Sequence, residues 1–161
     1  MFMGRAFVLG LSLFVVLVGF STASAQLADK KGLTLEAAKK VAAAAEAEAK
    51  KNNWQMVIAI VDDGGHLVYL QRLDDTQTGS VTVGIDKARA AAAFKRPTKA
   101  MEDALAGGRM AILGIPGFIP SEGGVPLMMD GKVIGAIGVS GGNGGFPLAL
   151  LALLYPFGKG R

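Results

Sequence analysis

The sequence predicts an α/β domain in which a mixed or antiparallel sheet has helices packed against it. Two observations lead there. Apolar, β-prone runs come in pairs folded about glycine-containing turns, in "WQMVIAIVDDGGHLVYLQRL" (residues 54–73) and "VPLMMDGKVIGAIGVSGG" (residues 125–142). Stretches of helical spacing stand before and between them, so the order is helix, hairpin, two helices, loop, hairpin. Four strands and three helices of this length suit one sheet with helices laid on it.

The elements follow in chain order. In "LTLEAAKKVAAAAEAEAKKN" (Leu33–Asn52), Thr34 is a natural N-cap and Glu46 stands four residues before Lys50. Leu35, Ala38, Val41, Ala42, Ala45 and Ala49 form one apolar stripe, narrow enough to lie close against a sheet. Asp63-Gly64-Gly65 turns the first hairpin, and His66 opens its second strand. "SVTVGIDKARAAAAF" (Ser80–Phe94) is helical by pattern, with Val81, Ile85, Ala88 and Ala92 as the buried face and Lys87 and Arg89 flanking it. Pro97 ends or restarts that helix, and "TKAMEDALAGG" is a shorter one closed by Gly107 or Gly108. Glycine and proline punctuate Ala111 to Gly124, which predicts a loop partly covering something. Asp130-Gly131 turns the second hairpin. Gly135 and Gly138 lie three apart and so face opposite sides of a regular strand, where they admit close backbone approach or a bulge.

At its start the chain carries the pattern of a secretory signal peptide over residues 1–25. Arg5 is followed by an apolar run from Ala6 to Phe20 and a small-residue ending at Ala23-Ser24-Ala25. Cleavage there leaves 136 of the 161 residues and removes one cation, taking the formal charge from +4 to +3. A polar leader then spans residues 26–32, the domain 33–145, and an apolar tail 146–161. A retained membrane anchor is the alternative, since the span behind Arg5 is long enough, but the Ala-Ser-Ala ending favours cleavage. The expected location is then periplasmic or secreted, with no stable membrane span after cleavage. The mild positive charge, without a long basic run or an aromatic-rich strand, does not indicate nucleic acid.

Several chemistries are excluded by composition. There is no cysteine, which removes thiol catalysis, zinc–thiolate sites and iron–sulfur clusters, and a single histidine removes any multi-histidine site within one subunit. "GGNGG" (Gly141–Gly145) follows a strand but lacks the Lys and Ser/Thr of a phosphate loop. Asp62 and Asp63 are adjacent and point apart, a poor acid–base pair, and Ser140 lacks the surroundings of a nucleophile. Met101, Met110, Met128 and Met129 invite a soft-metal reading, but methionine scattered over separate elements is far more often core filler. No catalytic constellation and no metal site emerges.

Three blocks carry a resemblance: "VDDGGHLVYLQRLDD" (Val61–Asp75), "DKARAAAAFKRPT" (Asp86–Thr98) and "IPSEGGVPLMMDGKVIGAIGVSG" (Ile119–Gly141), preceded by the alanine-rich helix. With these, the chain resembles the GlcG/HbpS-type family, small α/β proteins described as haem-degrading or haem-binding, from about Leu33 to Gly145. Relatives read Lys-Ala-Arg-Thr-Ala where this chain has Ala90, so a role of that hydroxyl does not transfer. They also continue into a Gln-Asp-Glu segment and an amphipathic helix, where this chain has "FPLALLALLYPFGKGR". That tail is open to reading as a closing segment, an oligomer contact or the product of an altered frame.

The resemblance implies haem as cofactor, a homo-oligomer, and in one kind of member a membrane sensor as partner. For this chain it implies an exported haem-binding protein, with oxidative haem degradation as a further activity. His66 becomes the candidate axial ligand or a pocket residue beside it, against a solvated or backbone-capping role; Tyr69 is an alternative oxygen donor with packing as its plainer role. Arg72, Lys87, Arg89, Lys95 and Arg96 are candidate partners for haem propionates, against a default role as solvated surface charge. His66, Arg72, Lys87 and Arg89 make the candidate cofactor site. Two other classes stay open: a non-catalytic signalling or interaction protein that binds a membrane sensor, and a small enzyme of hydroxy or oxo acids using its basic residues to hold carboxylate.

Overall fold

The computed structural model describes residues 30–142. The signal-peptide pattern, most of the polar leader, the last three positions of "GGNGG" and the apolar tail lie outside the described residues. Strands β1 (Met56–Asp62), β2 (Leu67–Arg72), β3 (Gly124–Met129) and β4 (Lys132–Gly141) form one sheet in the order β2-β1-β4-β3. Every neighbouring pair is antiparallel. Two hairpins thus meet along β1 and β4, joined by helices α2 (Ser80–Phe94) and α3 (Thr98–Ala106) and a 3₁₀ turn at Met110–Gly114. The second hairpin closes as its sequence demands, since Asp130 and Gly131 both hold positive φ, 49° and 74°. That two-residue turn matches the right-handed twist of the strands.

Helix α1 (Leu35–Lys51) lies on one face of the sheet. Thr34 accepts a hydrogen bond from the Ala37 amide at 3.2 Å, and Glu46 pairs with Lys50 at 2.7 Å. Ala38, Val41, Ala42, Ala45 and Ala49 are buried with Met56, Ile58 and Ile60 of β1 and Ile137 and Val139 of β4. Leu35 departs from the expected stripe. It is half exposed, at the first turn of the helix, and Leu33 ahead of the cap packs against the core instead.

Helix α2 covers the opposite face, and here size rules are inverted. Its buried residues include Ser80, Gly84, Lys87, Ala88, Ala91 and Ala92, while Val81 and Ile85, expected inside, are only half-buried. The cause is the closeness of the crossing. A Cβ on Gly138 of β4 would lie 2.1 Å from the Gly84 carbonyl oxygen and 2.5 Å from the Ala88 nitrogen. A Cβ on Gly124 of β3 would lie 2.3 Å from the Lys87 carbonyl oxygen. Only small side chains fit between such backbones, so the branched residues are displaced to the flanks of the helix. Gly135 faces the other side of the sheet, against Leu33 and the Val61 carbonyl, as the three-residue spacing requires.

The connection back to β3 is pinned at two points. The Thr98 hydroxyl, fully buried at the start of α3, accepts from the Gly124 amide at 2.8 Å. Phe118 meets Phe94 edge to face, ring centres 4.9 Å apart, so the glycine- and proline-rich segment does cover the end of α2. Its first part is a 3₁₀ turn rather than loop throughout.

Because the atoms facing Gly138 are backbone and cannot swing away, Gly138→Ala is expected to destabilise by about 3 kcal/mol or more. Gly32→Ala, at a position with nothing within 4 Å, is expected to change stability by less than about 0.5 kcal/mol. Urea unfolding of both variants tests this; equal midpoints would mean the crossing is not tight.

Candidate functional site

A strand that ends in a turn and an antiparallel neighbour that begins from one bring both turns to the same end of the sheet. Here Asp62 pairs with Gly135, so the turn after β1 and the Asp130-Gly131 turn before β4 lie together. Helix α2 also finishes at that end. Between them opens a cavity of about 770 Å³. Its apolar surface comes from Ala92 of α2 and from Met128, Met129, Val133 and Ile134 of the second hairpin. Lys30, Lys31, Lys95 and Lys132 surround it, with Asp63 and Asp130 between them.

The charges divide into two groups. Lys30 pairs with Asp63 and Lys31 with Asp130. Lys95 and Lys132 have no ion-pair partner among the described residues. Two cations are therefore left over at the rim. Lys95 sits at the C-cap of α2 in left-handed conformation, φ 52°. There its charge offsets the negative end of the helix dipole, which would otherwise repel an anion.

The four residues singled out in the sequence occupy three separate places. His66 is exposed, one residue ahead of β2, and it does not line the 770 Å³ cavity. Its turn is organised by Asp62, whose Oδ1 accepts from the amides of Gly64 and His66, both at 2.9 Å. Arg89 joins this turn, its Nε donating to the Gly65 carbonyl at 3.2 Å. Arg72 stands at the other end of the sheet. It donates from Nε to the Thr76 carbonyl at 2.9 Å and lines a smaller polar crevice of about 480 Å³ with Glu46, Lys50 and Trp54. Tyr69 packs against the α1-side core and donates to Gln71 at 3.2 Å.

Lys87 is the fourth, and the default reading of a surface charge fails for it. It is 8% exposed, within the buried face of α2, where its side chain runs beside Gly123. Burial pushes its ammonium below the ordinary 10.5, with the Glu102 and Glu122 carboxylates opposing that shift. Glu102 is itself held in place by the Glu122 amide, which donates to its Oε2 at 2.7 Å. Lys87 and Arg89 thus leave opposite sides of one helix and do not share a pocket.

The sequence did not bring the residues of the 770 Å³ cavity together as a site. Lys95 was in view only as one of five basic residues, and Lys132 not at all. The reading of the methionines as core filler holds for Met101, fully buried, and fails for Met110 and Met128, which are 62% and 44% exposed. Among the described residues no cluster of three or more His, Cys, Asp or Glu side chains could hold a metal ion. Nor is any described helix long and apolar enough to cross a membrane.

A sequence model described as "Haem degrading protein HbpS-like" matches residues 33–146. The chain belongs to the HbpS-like family. Protein GlcG of Escherichia coli is 45% identical over 108 residues, covering 67% of this chain and 81% of that protein. The crystal structure of Klebsiella pneumoniae protein ORFY superposes with a TM-score of 0.68 at 30% identity, covering 80% of this chain and 90% of that one. A double mutant of HbpS from Streptomyces reticuli gives 0.69 at 27% identity, covering 94% and 99%. The antiparallel sheet with packed helices is the fold of these HbpS-like proteins.

The Lys87 environment makes a signed prediction. The unfolded chain binds this proton more tightly than the folded one, so folding stability rises as pH climbs through the folded value toward 10.5. The stability difference between wild type and Lys87→Met is expected to move in favour of wild type over that window. Unfolding curves from neutral pH to about 10.5 measure it, and a flat difference would place the ammonium in solvent.

Proposed function

We propose that this HbpS-like chain is an exported haem-binding protein, and that haem sits in the 770 Å³ cavity between the end of α2 and the second hairpin. The observation that carries the reading is the match of charge and surface there. Small-molecule sites fall at roughly 300–1,000 Å³ with mostly apolar walls. A macrocycle needs an apolar floor, which Ala92, Met128 and Val133 offer, and its two propionates need two cations, which are Lys95 and Lys132, without ion-pair partners among the described residues. Haem, when bound, supplies redox and oxygen chemistry through its iron. The residues of this chain hold it, set its orientation through the lysine rim, and shield one face from water.

Export is supported by the segment Met1 to Ala25, and oxidative haem turnover by the description of the family alone. A homo-oligomer and a sensor partner belong to the same reading as proposals. The polar crevice around Arg72 favours haem less, since Trp54 and Leu73 are the only apolar residues of its lining.

Haemin titration of the purified full chain tests the reading. Saturable binding at one equivalent is expected. Lys95→Glu with Lys132→Glu should weaken it at least about tenfold, some 1.4 kcal/mol, and His66→Ala should leave it unchanged. Unsaturable uptake by wild type would remove haem from consideration. Loss of binding in His66→Ala, with the double lysine variant unaffected, would move the seat to the turn occupied by His66 and Arg89.

A further inference from the structure

Within that cavity the supply of iron ligands is narrow. The lining offers ammoniums, carboxylates and thioethers, and no imidazole, thiolate or phenol. Ammonium groups have no free lone pair at neutral pH. The two carboxylates, Asp63 and Asp130, are already engaged by Lys30 and Lys31. Two neutral soft donors are left, the sulfurs of Met128 and Met129. Thioether sulfur is an established axial ligand to haem iron.

The two methionines are not equivalent. Met129 packs against the α1-side core and is committed to it. Met128 belongs to neither buried cluster, is 44% exposed, and pairs in the sheet with Val133 of the cavity floor. A register shift falls between Leu127 and Met128: Leu127 pairs with Gly135 but Met128 with Val133. Such an irregularity re-aims side chains locally. It separates a buried leucine from an exposed methionine that lines the cavity.

We propose that the Met128 sulfur is an axial ligand to haem iron in this cavity. The proposal rests on the haem reading above and names its ligand. The full chain loaded with haemin is examined by absorption spectroscopy and by redox titration, in wild type, Met128→Leu, Met129→Leu and Met128→His. Wild type and Met129→Leu are expected to show the methionine-to-iron charge-transfer band of the ferric state. Met128→Leu, an exposed and nearly isosteric change, should lose the band, bind haemin about tenfold more weakly, and shift the midpoint potential negative. Met128→His should recover affinity without recovering the band.

An unchanged spectrum and potential in Met128→Leu would overturn the ligand assignment while leaving haem binding intact. Loss of the band in Met129→Leu alone would overturn it equally. If wild type takes up no haemin saturably, the haem reading itself falls, and this ligand with it.

Discussion

The backbone contact between α2 and the sheet is the constraint on which the rest of the molecule depends. Gly138 brings β4 closer to the α2 backbone at Gly84 than any Cβ permits, and Gly124 of β3 does the same against the backbone of Lys87. Once these points are fixed, the helix has no freedom to slide or roll. Its later residues then project at places set by helical geometry alone. Lys87 leaves toward β3, Arg89 toward the first turn, and Ala92 toward the second hairpin. Lys95, eleven residues past Gly84, falls about 16 Å along the axis at 1.5 Å per residue. The cavity rim is thus positioned by a contact in the middle of the sheet.

Electrostatics at the two lysine environments show how burial decides meaning. Lys87 is desolvated, and neighbouring carboxylates only partly compensate, so its charge is a cost the fold carries. The lysines of the cavity stand in solvent, where an ion pair is worth about 1 kcal/mol or less. Their importance is in number and place rather than strength. Lys30 and Lys31 tie the segment ahead of α1 to the two turns through Asp63 and Asp130, leaving Lys95 and Lys132 to face whatever enters.

Much of the fold was legible because hairpins and helix caps are local. Asp130-Gly131, Asp63-Gly64-Gly65 and Thr34 declare themselves within a few residues. The inward face of α2 was legible only in part: Ala88 and Ala92 are buried as expected, Val81 and Ile85 are not. Hydrophobic periodicity assumes the largest apolar residues point inward, and a glycine-mediated crossing reverses that, favouring Gly84 and Ala88 over Val81 and Ile85. The candidate site was harder still. Its parts come from residues 30–31, 92–95 and 128–134, and Lys31 and Asp130 meet across 99 positions of sequence. No spacing rule joins them. His66 drew attention by residue type, since imidazole is the familiar ligand. Its place after the hairpin turn was legible; that its amide is bound by Asp62 Oδ1 is information only the fold supplies.

Why a cavity exists at this end follows from where the helix stops. Proline has no amide hydrogen and disfavours the helical region for the residue before it. Pro97 therefore forces α2 to close by Phe94, and Lys95 turns left-handed to redirect the chain into α3. The sheet runs on past that point to the Asp130-Gly131 turn. Met128 and Val133, on the part of the hairpin beyond the helix, lose the cover that Ala136 and Gly138 receive from Ala88 and Gly84. Phe118 folds back to seal Phe94 and does not line the exposed floor. A helix one turn longer would bury Met128 and fill the space. The mismatch in length between helix and sheet, set by one proline, opens the apolar floor and leaves a lysine at its edge.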